Sequence, residues 1–234
     1  MATAALPVDP RSLRRRSGAL TILIAVKSVL ATVVAFVMIE ELGLLLEYRS
    51  EGLPAALAQA TIERQNLLLL NLNNLVMLCA IVTWLLWQYG LRRALLAPAA
   101  RPFRYGAGAG LVWWFVPFAN VVVPFSVLSE LWDAEAFPNR RPLEVWWLLW
   151  NGQVVLLYVM FVAMVLGILD AVGMRIVSFI AEILFLLAVV PAVRVIRQMT
   201  APAVSALEAF ASLPPAPLAA AADLAPGRDV ELAI

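Results

Sequence analysis

Residues 104–132 read R-Y-G-A-G-A-G-L-V-W-W-F-V-P-F-A-N-V-V-V-P-F-S-V-L-S-E-L-W, and the topology of everything downstream depends on whether this stretch crosses a bilayer or turns back. No residue from Tyr105 to Ser129 is charged, so length alone would suffice to cross the roughly 30 Å hydrocarbon core that about 20 helical residues span. Its composition argues against a through-going helix. Pro117 and Pro124 each remove a backbone donor and push the preceding residue out of helical geometry, while Gly106, Gly108 and Gly110 loosen the approach. The expected structure is a Pro-broken, re-entrant or interfacial helical segment over 105–132 that returns to the side it came from.

Four membrane spans are expected around it, at about 19–41, 67–89, 145–169 and 176–194. Arg11, Arg14, Arg15 and Arg16 precede the first span and no small-residue cleavage site follows it, so it reads as a retained signal anchor with a cytoplasmic N-terminal arm, 1–18. If 105–132 turns back, Arg92, Arg93, Arg101, Arg104, Arg140, Arg141, Arg194, Arg197 and Arg228 fall on that same side, leaving only Arg49, Arg64 and Arg175 outside. A fifth span would divide the arginines almost evenly, which the positive-inside rule disfavours.

The tryptophans agree. With four spans, Trp84, Trp87, Trp113, Trp114, Trp132, Trp146, Trp147 and Trp150 all gather near the cytoplasmic surface, where amphipathic rings settle. Val121, Phe125, Leu128 and Trp132 recur at helical spacing opposite Ser126, Ser129, Glu130 and Asp133, which predicts an amphipathic helix in the interface plane with Pro124 in its first turn. Residues 47–66 read as an external connection, and 198–234 as a disordered Ala/Pro-rich cytoplasmic tail.

Composition places the chain among all-α integral membrane proteins: 63% of its 234 residues are hydrophobic, 14% are charged and the mean hydropathy is +0.89. A formal net charge of +1 gives no global basic field for nucleic acid. The chain has no histidine, so the commonest general base and metal ligand are missing together. Cys79 is the single cysteine, and no H-E-x-x-H, Walker loop or G-x-S-x-G occurs. Catalytic residues, metal ligands and cofactors are therefore not expected.

What polar chemistry there is lies inside the spans. Lys27 and Glu182 fall at depths that differ by only about 6 Å at 1.5 Å per helical residue. Three outcomes stay open: a structural ion pair, a Lys27 that snorkels to the inner surface, or a proton- or solute-coupled role. Asn71, Asn73 and Asn74 lie early in the second span, Asn151 and Gln153 in the third, and such amides serve interhelical hydrogen bonds or a permeation path. Asn120, between two prolines, suits a side chain that caps or bridges backbone groups freed by the break, the alternative being a ligand-facing amide.

The string W-W-F-V-P-F-A-N-V-V-V-P-F-S-V-L-S-E-L-W at Trp113–Trp132, with W-W-L-L-W at Trp146–Trp150, resembles the family called domain of unknown function 4328, bacterial multi-pass membrane proteins. The resemblance runs from about Asn66 to Arg197. It implies a compact membrane domain in a bacterial inner membrane and brings no activity with it.

The expected function is that of a non-enzymatic module. Trp113, Trp114, Pro117, Pro124 and Trp132, flanked by Arg92, Arg93, Arg101, Arg104, Arg140 and Arg141, would dock anionic lipid head groups or a protein partner, and small-residue helix faces would permit homo-oligomers. The competing class is a small carrier or channel with an internal polar path through Lys27, Glu182 and the Asn71–Asn74 amides. A water-filled cavity reaching Glu182 would favour the carrier; a dry bundle would favour docking.

Overall fold

The computed structural model describes residues 8–52, 55–96, 104–116, 118–134, 137 and 139–212. Its elements are α1 (Pro10–Ser50), α2 (Ala55–Leu96), the single turn α3 (Ala109–Val112), a 3-10 turn at Ala119–Val121, α4 (Val123–Ala134), α5 (Arg141–Val165) and α6 (Ala171–Ser212). The protein is an all-α membrane protein in which α1, α2, α5 and α6 are each long and apolar enough to cross a bilayer. Outward-facing positions on these helices are apolar, with Leu68 82% and Phe36 67% exposed, the reverse of a soluble bundle.

Of the long helices, α5 packs on α6, α6 on α1 and α1 on α2, with a lesser contact between α2 and α6, while α2 and α5 meet through side chains. Between them at one end sits the 104–134 segment. Trp84 of α2 stacks on Trp146 of α5 at 4.8 Å, which puts the end of α2 and the start of α5 at the same end of the bundle. The segment therefore leaves and rejoins the end it started from. On the way it dips inward far enough for Asn120 Nδ2 to approach Tyr158 Oη of α5 at 3.3 Å.

Every long helix starts before its expected boundary and all but α5, which stops at Val165, also run past it, for a packing reason. α1 starts at Pro10, with Asp9 Oδ1 accepting from Arg11 N–H at 3.0 Å, because Leu13, Ser17 and Leu20 are buried on one helical face. So residues 10–18 are helix and not a polar arm. Helix covers most of the expected 47–66 connection, since α1 runs to Ser50 and α2 starts at Ala55; Gly52, just past α1, stands at φ +71°, a conformation glycine adopts without penalty. Past it, Ile62 packs against Leu45 in a small second core.

The tail is corrected likewise. α6 continues through Pro191 and Pro202 to Ser212, so 198–212 is helix; Ala203, Val204 and Leu207 are buried against the main core, and Arg14 pairs with Glu208 at 3.0 Å. Residues 213–234 lie outside the described residues, as does Arg228 with them.

α5 ends where Gly167 turns at φ +66°. Asp170 then caps α6, accepting from Gly173 N–H at 2.8 Å.

Candidate functional site

The tryptophan-rich end is built by α4 lying across the mouth between α2 and α5. Pro124 occupies the second position of α4, where a missing N–H is harmless, and Val127, Leu128, Leu131 and Trp132 form its buried stripe. Ser129, expected on the polar face, is buried with the stripe. Phe125 stacks on Trp147 at 5.6 Å and Trp132 packs on Phe137 at 4.8 Å.

The rings expected at a surface form a core. Trp84, Trp87, Trp114, Trp146, Trp147 and Trp150 make a connected set with centroids 4.8–6.5 Å apart. Trp87 is fully buried and its Nε1–H donates to Thr200 Oγ1 at 2.9 Å; Trp114 Nε1–H donates to Gln88 Oε1 at 2.9 Å. Trp114 and Trp132 thus hold the segment down from inside, and of the predicted tryptophan contacts only Trp113 lacks a ring partner among the described residues.

Arg92 is the larger correction. Its side chain is 1% exposed, so it is not open to a head group. The guanidinium instead reaches Glu130 Oε2 of α4 at 3.1 Å, the Val127 carbonyl at 3.5 Å and the Tyr105 carbonyl, tying both limbs of the segment to α2. Gly110 faces this tie: a Cβ there would lie 3.2 Å from Val127 Cγ1.

The other arginines remain peripheral. Arg93, Arg104 and Arg141 are exposed, with Arg93 5.9 Å from the Tyr89 ring and Arg104 5.5 Å from the Tyr105 ring. Arg140 is half-buried over Phe125 at 5.5 Å, with Asp133 3.9 Å away. Arg101 and Pro117 lie outside the described residues.

In the other half of the bundle, Lys27 Nζ meets Glu182 Oε2 at 3.0 Å, and Asn73 Nδ2 approaches Glu182 Oε1 at 3.5 Å, the long limit of a hydrogen bond. Lys27 therefore pairs and does not snorkel. A second node repeats the pattern nearer the turns: Arg175 of α6 pairs with Glu41 of α1 at 2.9 Å, and Asn66 of α2 donates to Glu41 at 2.7 Å. Sequence reasoning missed this node, although the seven-residue spacing shared by Asn66–Asn73 and Arg175–Glu182 carried the signal.

Asn71 and Asn74 stand apart, exposed on the outer face of α2. Only Asn73 of the three turns inward, so the expected polar path loses two of its members. Asn151 Nδ2 donates to the Trp147 carbonyl of its own helix at 2.9 Å. Among the described residues no three His, Cys, Asp or Glu side chains converge to hold a metal.

The matching family model is Domain of unknown function (DUF4328), over residues 49–201. The chain belongs to this family. The match takes in the last residues of α1, all of α2, the segment with its tryptophan core, α5 and most of α6, so the tied-down segment is part of the DUF4328 unit while most of α1 precedes it. No curated protein and no solved structure matches the chain.

Proposed function

We propose that this DUF4328 protein is a non-enzymatic module of a bacterial inner membrane that docks anionic lipid head groups at its arginine-fringed end. Both termini then lie in the cytoplasm, and 104–134 is a re-entrant segment whose α4 rests in the interface plane. One observation carries the proposal. Arg93, Arg104, Arg141, Arg194 and Arg197 are exposed around a single end and have no ion-pair partner among the described residues. The opposite end exposes Glu40, Glu47 and Glu51 beside Arg49 and Arg64, and the arginine-fringed end exposes Asp133 and Glu144, so the arginine excess and not an absence of acids distinguishes the two ends. Each basic residue near an anionic surface contributes about 1 kcal/mol, and this asymmetry also fits the positive-inside rule.

The carrier alternative has the Lys27–Glu182–Asn73 cluster in its favour. Against it, both charges are spent on each other, and Asn71 and Asn74 face outward.

The test is lipid retention. The protein is reconstituted in nanodiscs with equal phosphatidylglycerol and phosphatidylcholine, extracted in mild detergent and weighed intact by mass spectrometry. Phosphatidylglycerol is expected to be enriched, and enrichment is expected to vanish when Arg93, Arg104, Arg141, Arg194 and Arg197 are all changed to Gln. Equal retention of the two lipids by the wild type would refute the proposal.

A further inference from the structure

α2 carries one spacing on two opposite faces. Asn73, Met77, Ala80, Trp84, Trp87 and Leu91, alternately four and three residues apart, form the side turned to the bundle. Leu68, Asn71, Leu75, Leu78 and Val82, alternately three and four apart, run along the other side and are all exposed. Such a repeat makes a seam for a neighbouring helix, but in a bilayer a leucine stripe is equally well covered by lipid. The leucines alone call for no partner.

The amides do. Asn71 and its neighbour Asn74 are exposed, and neither has a hydrogen-bond partner among the described residues. Both stand deeper in the span than Leu68, by about 5 and 9 Å at 1.5 Å per residue, with the exposed Leu75 and Leu78 beyond them. Hydrocarbon therefore surrounds them in a single copy. Other exposed polar side chains of the spans are satisfied within the chain: Thr32 Oγ1 donates to the Ser28 carbonyl at 2.9 Å, and Tyr158 Oη accepts from Asn120. An amide left unpaired in an apolar medium is costly, and hydrogen-bonding across helices removes that cost.

We propose that two copies of this chain pair through the outer faces of α2, each Asn71 amide hydrogen-bonded to the partner's Asn71. An amide carries donors and an acceptor together, so it is its own complement. Copies inserted the same way are related by a two-fold axis along the membrane normal, which lays α2 parallel to the partner's α2 and sets each seam residue against its counterpart. Lipid chains offer an amide nothing, and an unrelated helix would need a polar group at this one depth. A second copy has it there by symmetry. Asn71 also fixes the register, since a slip of one turn would part the amides and leave both facing leucine. The seam shares no residue with the arginine fringe, so this pairing and the docking of lipid head groups can fail separately.

The first test is cross-linking in a Cys79→Ser background. Leu75→Cys, Leu78→Cys or Val82→Cys on the seam, or Phe161→Cys on the exposed side of α5, is oxidised with copper phenanthroline in membranes of expressing cells. A covalent dimer is expected for the seam positions and not for Phe161→Cys. Strength is then read by energy transfer between donor- and acceptor-labelled chains in phosphatidylcholine vesicles as the protein is diluted with lipid. Asn71→Leu is expected to raise the protein density needed for pairing about tenfold, the effect of one lost interhelical amide contact, while Asn71→Gln, which keeps the amide, stays close to the wild type. In dilute detergent, where copies are apart, Asn71→Leu is expected to melt no lower than the wild type, which separates a lost dimer from a lost fold. Transfer no greater than random proximity gives, undiminished pairing in Asn71→Leu, equal loss in Asn71→Gln, or a dimer cross-linked only through Phe161→Cys would each overturn the proposal.

Discussion

Lys27 Nζ of α1 lies 3.0 Å from Glu182 Oε2 of α6, in the apolar stretch of both helices, and the two side chains are only 4% and 14% exposed. Charges so enclosed depend on each other. Removing one partner, as in Lys27→Met or Glu182→Gln, is expected to cost about 3–5 kcal/mol, whereas the double change to Met at both positions should restore most of it. Reversible denaturation in mixed micelles measures both. If the single variants are as stable as the wild type, the pair does not hold α1 to α6.

Arg92 anchors the segment through a fork that a lysine cannot copy, since its bonds leave from two separate nitrogens, Nη1 to the Val127 carbonyl and Nη2 to Glu130 and the Tyr105 carbonyl, where lysine has one. In Arg92→Lys, hydrogen exchange should rise in residues 104–134 and stay unchanged in α1 and α6. A uniform rise would mean that Arg92 supports the whole bundle and not the segment in particular.

The three glycines ahead of the segment are unequal. Gly106 and Gly108 have nothing within 4 Å of a built Cβ, while at Gly110 the new atom meets Val127 at 3.2 Å. Gly110→Val is therefore expected to destabilise by about 1–3 kcal/mol through overpacking. Gly106→Ala and Gly108→Ala should be neutral within measurement, and a thermal melt that ranks the three alike would contradict the packing.

Asn71, Asn73 and Asn74 give the same kind of contrast within a single turn of helix. Asn73→Leu leaves Glu182 with one bond fewer and is expected to cost about 1–2 kcal/mol. Asn71→Leu and Asn74→Leu, on the outer face, should leave the stability of the isolated chain unchanged or improved in detergent. A large loss at Asn71 or Asn74 would mean that the second copy stays on that face in detergent, and a concentration-dependent oligomer would then appear in size analysis.

Orientation is tested by cysteine labelling in a Cys79→Ser background. A cysteine at Gly52 should react with an impermeant thiol reagent outside intact cells, and one at Asn139 should not. Reaction at Asn139 would reverse the proposed topology.

Much of the architecture was legible because hydropathy and proline are local properties. Four apolar runs longer than a bilayer sufficed to predict four long helices. The helix ends were not legible. Residues 10–18 and 198–212 look polar or Ala/Pro-rich along the chain, yet Leu13 and Leu207 are buried in the same core, and that contact extends both helices past the apolar runs. Propensity is weak beside tertiary packing.

Within the candidate site, the depths of Lys27 and Glu182 follow from counting residues, so their meeting could be foreseen as one of several outcomes. Their facing could not. Which of Asn71, Asn73 and Asn74 turns inward, and which arginine is swallowed while Arg93 next to it stays exposed, depends on the rotation of α2 about its own axis. Side-by-side packing against α1 and α6 sets that rotation. A sequence specifies how deep each residue sits, because rise per residue is constant; only the assembled bundle specifies which neighbour it faces.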